Sequence, residues 1–118
     1  ARQANAAAYL ELLAQRRVPV QPPQAPAAGR HVWNQFTIRT ARRDELRQHL
    51  AARGIGSEIY YPLPLHLQKC FAFLDVPAGA LPVAESVARE ALSLPVYPEV
   101  GRANIERVVD EIARFHAG

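Results

Sequence analysis

Proline decides where regular structure can run in this chain. Ten of its 118 residues are proline, and four of them, Pro19, Pro22, Pro23 and Pro26, fall between Val18 and Gly29. Each removes a backbone donor and fixes φ, so no helix or inner strand crosses that stretch. Residues 18–30 are therefore read as an extended Pro-rich linker. In a polyproline conformation a dozen residues reach ~37 Å, enough to cross one face of a domain. Pro23-x-x-Pro26 also has the spacing of an SH3 ligand, but a plain connector is the preferred reading. Upstream, Ala6, Tyr9, Leu10 and Leu13 recur at helical spacing and predict an amphipathic leading helix over residues 1–17.

Beyond the linker the apolar pattern alternates between the two periods of regular structure. From His31 to Arg39, Val32, Phe36 and Ile38 alternate with Trp33, Gln35 and Thr37, which predicts a strand, with Asn34 interrupting its apolar face. Thr40 suits the N-cap of a following helix in which Leu46 and Leu50 stack four apart. Gly54 supplies a left-handed stop, with Ile55 placed for the apolar contact of a Schellman ending. Ser57 to Tyr61 reads as a second strand, which Pro62 and Pro64 prevent from continuing. A helix is predicted to open at Pro82 and run through Val83, Val87 and Ala91, and a short strand between Ser93 and Tyr97, fenced by Pro95 and Pro98. Ile105, Val108, Val109, Ile112 and Phe115 mark the last helix. Residues 31–118 are thus predicted to form one α+β domain, a small antiparallel or mixed sheet with helices packed on one face.

Composition narrows the class. With 49% hydrophobic and 21% charged residues the chain has the makings of one ordinary core, which excludes wholesale disorder. Fourteen cations, all but Lys69 arginine, against eleven carboxylates give +3, a charge that names no partner. The single cysteine, Cys70, rules out an internal disulfide or a cysteine-rich zinc site and fits a reducing compartment. No apolar run approaches the roughly 18 residues of a membrane span, and the first residues lack the pattern of a secretory signal. A cytoplasmic protein without a membrane partner is expected. The chain opens on Ala in what reads as mid-helix sequence, so it is expected to be a piece of something longer.

The chemistry-bearing side chains gather in two places. His31, Trp33 and Asn34 open the first predicted strand, and Tyr60-Tyr61-Pro62-x-Pro64-x-His66 follows the second. If the strands are neighbours, two imidazoles, an amide, two phenols and an indole meet. Such a set is suited to hydrogen bonding and stacking on a sugar or polar ring rather than to nucleophilic attack. The competing reading makes Trp33 and Tyr61 core, Asn34 a turn residue and the histidines surface. His66 and Cys70, four apart, would need two more ligands to hold a metal and none stands out, so Cys70 is read as a small buried hydrophobe. Ser57, Ser86 and Ser93 lack any nucleophile-elbow frame, and no phosphate loop is present. Arg42, Arg43, Arg47 and Arg53 on the middle helix raise an RNA-binding reading. Asp44 and Glu45 interrupt them, and a mixed-charge solvated face is preferred.

The ordered set His31-x-Trp33-Asn34-Gln35-Phe36, Arg43-Asp-Glu-Leu46, Gly54-Ile-Gly56, Tyr60-Tyr-Pro-x-Pro-x-His66-Leu67 and Leu92-Ser-Leu-Pro95-x-x-Pro98 resembles the C-terminal part of the DegT/DnrJ/EryC1/StrS family of sugar aminotransferases. The resemblance runs essentially end to end. It implies the C-terminal small domain of an aspartate-aminotransferase-like (fold type I) enzyme. Such an enzyme is a homodimer that uses pyridoxal phosphate to move an amino group, usually from glutamate, to a keto carbon of a nucleotide-linked sugar. The Tyr-Tyr-Pro-x-Pro-x-His form is most similar to members acting at C3. By resemblance, His31, Trp33 and Asn34 lie at the active-site edge, and Tyr61 and His66 sit on the loop approaching the sugar nucleotide or the cofactor. Trp33 stands where the family often has tyrosine, so stacking or an indole donor replaces a phenol there.

The chemistry points the same way. A pyridoxal-phosphate enzyme needs an amine for the Schiff base, a carboxylate on the pyridinium nitrogen and a phosphate cradle. Here the one lysine, Lys69, lies in an unrelated run and no cradle is visible. No residue of this chain is expected to be catalytic or to bind cofactor alone. An N-terminal pyridoxal-phosphate domain is the expected partner. The other readings are a stand-alone α+β binding module for a small metabolite or RNA, and a purely structural interaction domain.

Overall fold

The computed structural model describes residues 1–118. Four helices and a two-stranded antiparallel sheet make an α+β fold: α1 (Arg2–Gln15), β1 (Phe36–Arg39), α2 (Arg43–Ala52), α3 (Pro82–Glu90), β2 (Ala91–Leu94) and α4 (Gly101–Ala117). Two short 3-10 turns, Leu65–Leu67 and Lys69–Leu74, lie between α2 and α3.

The strands pair Phe36 with Leu94 and Ile38 with Leu92, so these four side chains share one face. That face carries the core. Tyr9 and Leu13 of α1, Leu46 and Leu50 of α2, and Ile105, Val109 and Ile112 of α4 close over it. The Tyr9 ring stacks on Phe36 at 4.7 Å, and its hydroxyl donates to the Pro95 carbonyl at 2.7 Å. Burial removes the solvent that would stabilise a phenolate and raises the Tyr9 pKa, so the hydroxyl remains a donor. On the opposite face the Thr37 and Ser93 hydroxyls meet at 2.7 Å.

The Pro-rich stretch is more than a spacer. Gln21 exchanges two backbone hydrogen bonds of 2.9 Å with Arg39 along the outer edge of β1. Glu58 does the same for β2 through Ser93, at 3.0 and 2.8 Å. Single residues thus cover both sheet edges, which would otherwise invite another strand.

Both α1 and α2 end in Schellman motifs. At α2 the Ile55 N–H bonds the Leu50 carbonyl and the Gly54 N–H bonds that of Ala51, with Gly54 at φ +72° and Ile55 in the core, as the sequence predicts. At α1 Val18 and Arg17 bond Leu13 and Ala14 in the same way, but the left-handed position is Arg17, at φ +49°.

Several predicted boundaries move. The first strand begins at Phe36 rather than His31, because Trp33 turns into the left-handed region at φ +55°. That turn inverts the alternation: Trp33 is buried and Val32 is 62% exposed. The predicted strand from Ser57 to Tyr61 reduces to the one bridge at Glu58. Thr40 caps no helix. Its N–H bonds the Glu90 carbonyl beside the sheet, and α2 starts three residues later. Cys70 is exposed, because the 3-10 turn that carries it adds nothing to the core.

Glu111 joins α4 to α2. It is buried, with His49 at 3.2 Å and Arg114 at 2.7 Å. Burial pushes its carboxyl pKa up, but the His49 hydrogen bond and the charges of Arg114 and Arg53 outweigh this and leave it below the usual range. A carboxyl whose folded pKa is depressed stabilises the fold above its unfolded value, about 4.3, and that contribution is lost as pH falls through the folded value. Glu111→Gln is therefore expected to flatten the acid limb of a plot of melting temperature against pH. If the limb keeps its slope, Glu111 does not carry it.

Candidate active site

Two clefts share one residue, Tyr60. The first, of about 320 Å³, is polar and lies against the face of the sheet opposite the core, with Asn34, Gln35, Glu58, Tyr60, Ser93 and Tyr97 in its wall. The antiparallel pairing puts Ser93 there, and the Glu58 bridge brings Glu58 and Tyr60 alongside. Asn34 is exposed, one residue after the left-handed turn at Trp33. The Arg2 guanidinium lies on the rim, its Nε enclosed without a hydrogen-bond partner. Amides, hydroxyls, a carboxylate and a guanidinium so arranged match the alternating donors and acceptors of a polyhydroxylated ligand.

The second cleft, of about 610 Å³, is apolar and is formed where residues 60–76 fold against α3. Tyr61 and His66 are among its lining residues, with Phe71, Leu74 and Val87. The peptide bond joining Tyr60 to Tyr61 is cis. His66 is 8% exposed, and its Nε2 has no hydrogen-bond partner. Glu85 Oε2 lies 3.6 Å from it, beyond hydrogen-bond range. Glu85 is engaged elsewhere: it accepts the Gly79 N–H at 2.8 Å and the Leu81 N–H at 3.2 Å at the start of α3. The Gly79 bond is the main cause holding its carboxyl below the usual range.

The five residues singled out from the sequence do not form one cluster. Asn34 lies in the polar cleft, and Tyr61 and His66 in the apolar one. His31 and Trp33 line neither. Trp33 is in the core, 5.6 Å from the Phe36 ring centroid, and His31 stacks on it at 3.9 Å while accepting its backbone N–H through Nδ1. They fix the turn that presents Asn34. Of the competing reading, Trp33 is core as described, while Tyr61 is exposed and His66 buried. Glu58, Ser93 and Arg2 are wall or rim residues the sequence reading did not put forward for binding, while Tyr60, one of the two phenols it grouped with Asn34, borders both clefts.

The arginines of α2 do not form a cationic stripe. Arg43 is buried, bonding the carbonyls of Ala88 and Ala91, and Arg42 pairs with Glu45 while lying over the Phe115 ring. No three His, Cys, Asp or Glu side chains gather as metal ligands, and no helix is long and apolar enough to cross a membrane.

Comparison with known proteins places this architecture. The sequence model of the DegT/DnrJ/EryC1/StrS aminotransferase family matches residues 1–113. The dTDP-3-amino-3,4,6-trideoxy-alpha-D-glucose transaminase of Streptomyces venezuelae is 48% identical over 97% of this chain and 30% of its own length. The pleiotropic regulatory protein of Geobacillus stearothermophilus is 45% identical over 98% of this chain and 31% of its own. Among solved structures, S. venezuelae DesV in complex with a ketimine intermediate superposes with a TM-score of 0.90 at 45% identity, covering 97% of this chain and 30% of that one. The chain thus spans about 30% of the length of the curated relatives it matches. With the profile matched almost throughout and the fold reproduced, this chain belongs to the DegT/DnrJ/EryC1/StrS aminotransferase family.

Proposed function

We propose that this chain is the C-terminal, substrate-side domain of a pyridoxal-phosphate-dependent aminotransferase that aminates the C3 keto group of a nucleotide-linked sugar. Glutamate is the amino donor, and the longer enzyme works as a cytoplasmic homodimer. Within this reading residues 1–17 lead in from the cofactor domain, residues 18–30 cross to the sheet edge, and residues 31–118 form the substrate wall. The observation that carries it is the polar cleft in a chain of this family. Asn34, Gln35, Glu58 and Tyr60 offer a sugar a set of donors and acceptors, and the transaminase named above handles a 3-amino sugar.

These residues do not by themselves fit the cofactor. Lys69, the only lysine, is exposed on a 3-10 turn and lines neither cleft, so the amine that would bind pyridoxal phosphate belongs to another part of the enzyme. What this chain does is bind and orient. Asn34 and Tyr60 hold ring hydroxyls, Tyr61 and His66 sit on the loop that approaches the sugar nucleotide or the cofactor, and His31 and Trp33 stiffen the turn beneath Asn34.

The test uses the longer protein that carries this sequence. With pyridoxal phosphate it is expected to show a bound-cofactor absorption band that the 118-residue chain does not. Asn34→Ala and Tyr60→Phe should lower kcat/KM for amino transfer by about 10-fold each, the loss of one or two hydrogen bonds to the reacting ligand. A band from the 118-residue chain that disappears on changing Lys69 would refute the assignment.

A further inference from the structure

The stretch from Tyr60 to Val83 is built unlike the rest of the chain. Eight of the ten exposed large apolar side chains fall within it, among them Tyr61, Leu65, Phe73 and Val83 at 62, 57, 79 and 72% exposure. Its only charged side chains are Lys69 and Asp75. None of the 20 core residues lies between Ile55 and Leu92. This stretch therefore folds around the apolar cleft without contributing to the core, and it presents apolar side chains outward as well. A monomer surface rarely concentrates exposed apolar side chains in this way unless something covers them. Inside the same cleft His66 Nε2 is enclosed and unpartnered, a state shared only by Arg2 Nε at the other cleft, while the buried side chains of Asn5, Thr40 and Ser93 are bonded.

We infer that this face is the seat of the cofactor-binding domain of the longer enzyme. That domain lays an apolar surface over Tyr61, Leu65, Phe73 and Val83 and supplies the hydrogen-bond partner that His66 lacks. The inference rests on the functional reading above and extends it from the substrate wall to the joint between domains. Length identifies the occupant. Relatives of which this chain covers 30–31% have roughly two thirds of their polypeptide left over to lie against it. Charge agrees, because a face with one lysine and one aspartate offers little to a polyanion such as nucleic acid. The apolar cleft joins the three elements that carry these side chains, with Leu65 of the first 3-10 turn, Leu74 of the second and Ala84 of the first turn of α3 all in its wall.

Hydrogen exchange tests this directly. Backbone amides of residues 60–83 are followed by mass spectrometry in the 118-residue chain and in the longer protein loaded with pyridoxal phosphate. Exchange is expected to be at least about tenfold slower in the longer protein. The double variant Phe73→Glu/Val83→Glu should restore fast exchange there while leaving the melting temperature of the 118-residue chain unchanged, since both side chains already face solvent. Equal exchange in the two proteins, with the cofactor band present, would overturn the docking inference and leave the functional reading intact. A longer protein that never shows the band would overturn the functional reading, and this inference with it. Sedimentation of the 118-residue chain as a dimer that the double variant dissociates would make the occupant a second copy and would equally overturn it.

Discussion

Replacing Phe36 with alanine is expected to remove a large share of the stability of this fold, about 3–5 kcal/mol. The ring has no exposed surface and sits where three elements meet. Tyr9 stacks on it at 4.7 Å, Trp33 lies 5.6 Å away, and Leu94 is its partner across the sheet. Truncation forfeits the transfer of the ring out of water and leaves a cavity that the short strand cannot close. Each lost aromatic contact adds about 0.5–1.5 kcal/mol where it is well formed. Against a total of about 5–15 kcal/mol for a domain, the variant should melt well over 10 °C lower, as read by circular dichroism. Val32→Ala is the control. The alternating pattern would place Val32 on the same buried face, whereas it is exposed and should change stability by less than about 0.5 kcal/mol. Equal losses at the two positions would mean that the strand does begin at His31.

That pair of residues shows how far the sequence can be read. Helix periodicity was legible because it repeats: Ile105, Val108, Val109 and Ile112 are all buried on α4, and Pro82 opens α3. The glycine stop at Gly54 was legible because only glycine reaches that φ without strain. The same ending at Arg17 was not, because an arginine gives no sign that tertiary contacts will hold it at φ +49°. The four-residue strands were harder still. A strand this short gives two alternations, and one left-handed residue inside the apparent run, Trp33, inverts the pattern upstream.

The site was legible as a set of residue types and not as a geometry. Asn34, Tyr61 and His66 each border a cleft, but which cleft depends on single bridges such as Glu58 to Ser93 that no local pattern announces. His31 and Trp33 were grouped with them on adjacency in sequence. In three dimensions their rings stack on each other and on the core, so their influence on any ligand passes through the backbone of Asn34. Charge was the least legible feature. A run of arginines next to carboxylates looks solvated at every position, and nothing local distinguishes the one that is buried.

Arg43 is that position, and Arg43→Ala carries the second large effect. Helix α3 ends at Glu90 and passes directly into β2, so its last carbonyls have no partner within the helix. Arg43 Nη1 donates to the Ala88 carbonyl at 2.8 Å and to that of Ala91 at 2.9 Å, and Nε donates to Asp44 at 2.7 Å. A cation at that end also complements the helix dipole. Removing the side chain strands two carbonyls in a buried place, at about 1–3 kcal/mol for each, so a loss near 3 kcal/mol in urea unfolding is expected. Arg43→Lys should recover less than half of it, because an ammonium on a flexible stem cannot reproduce the planar fork that also holds Asp44. The loss should be concentrated locally. Amides at the α3–β2 junction should exchange faster while those of α1 and α4 stay protected, because the core over which α1 and α4 close contains no residue of α3. Ser93, two residues beyond Ala91, lies in the polar cleft wall, so the same substitution in the longer enzyme should lower amino transfer without touching a ligand-facing side chain. Full rescue by lysine, or a loss shared evenly by α1 and α4, would show that Arg43 acts as a charge and not as the clasp at the end of α3.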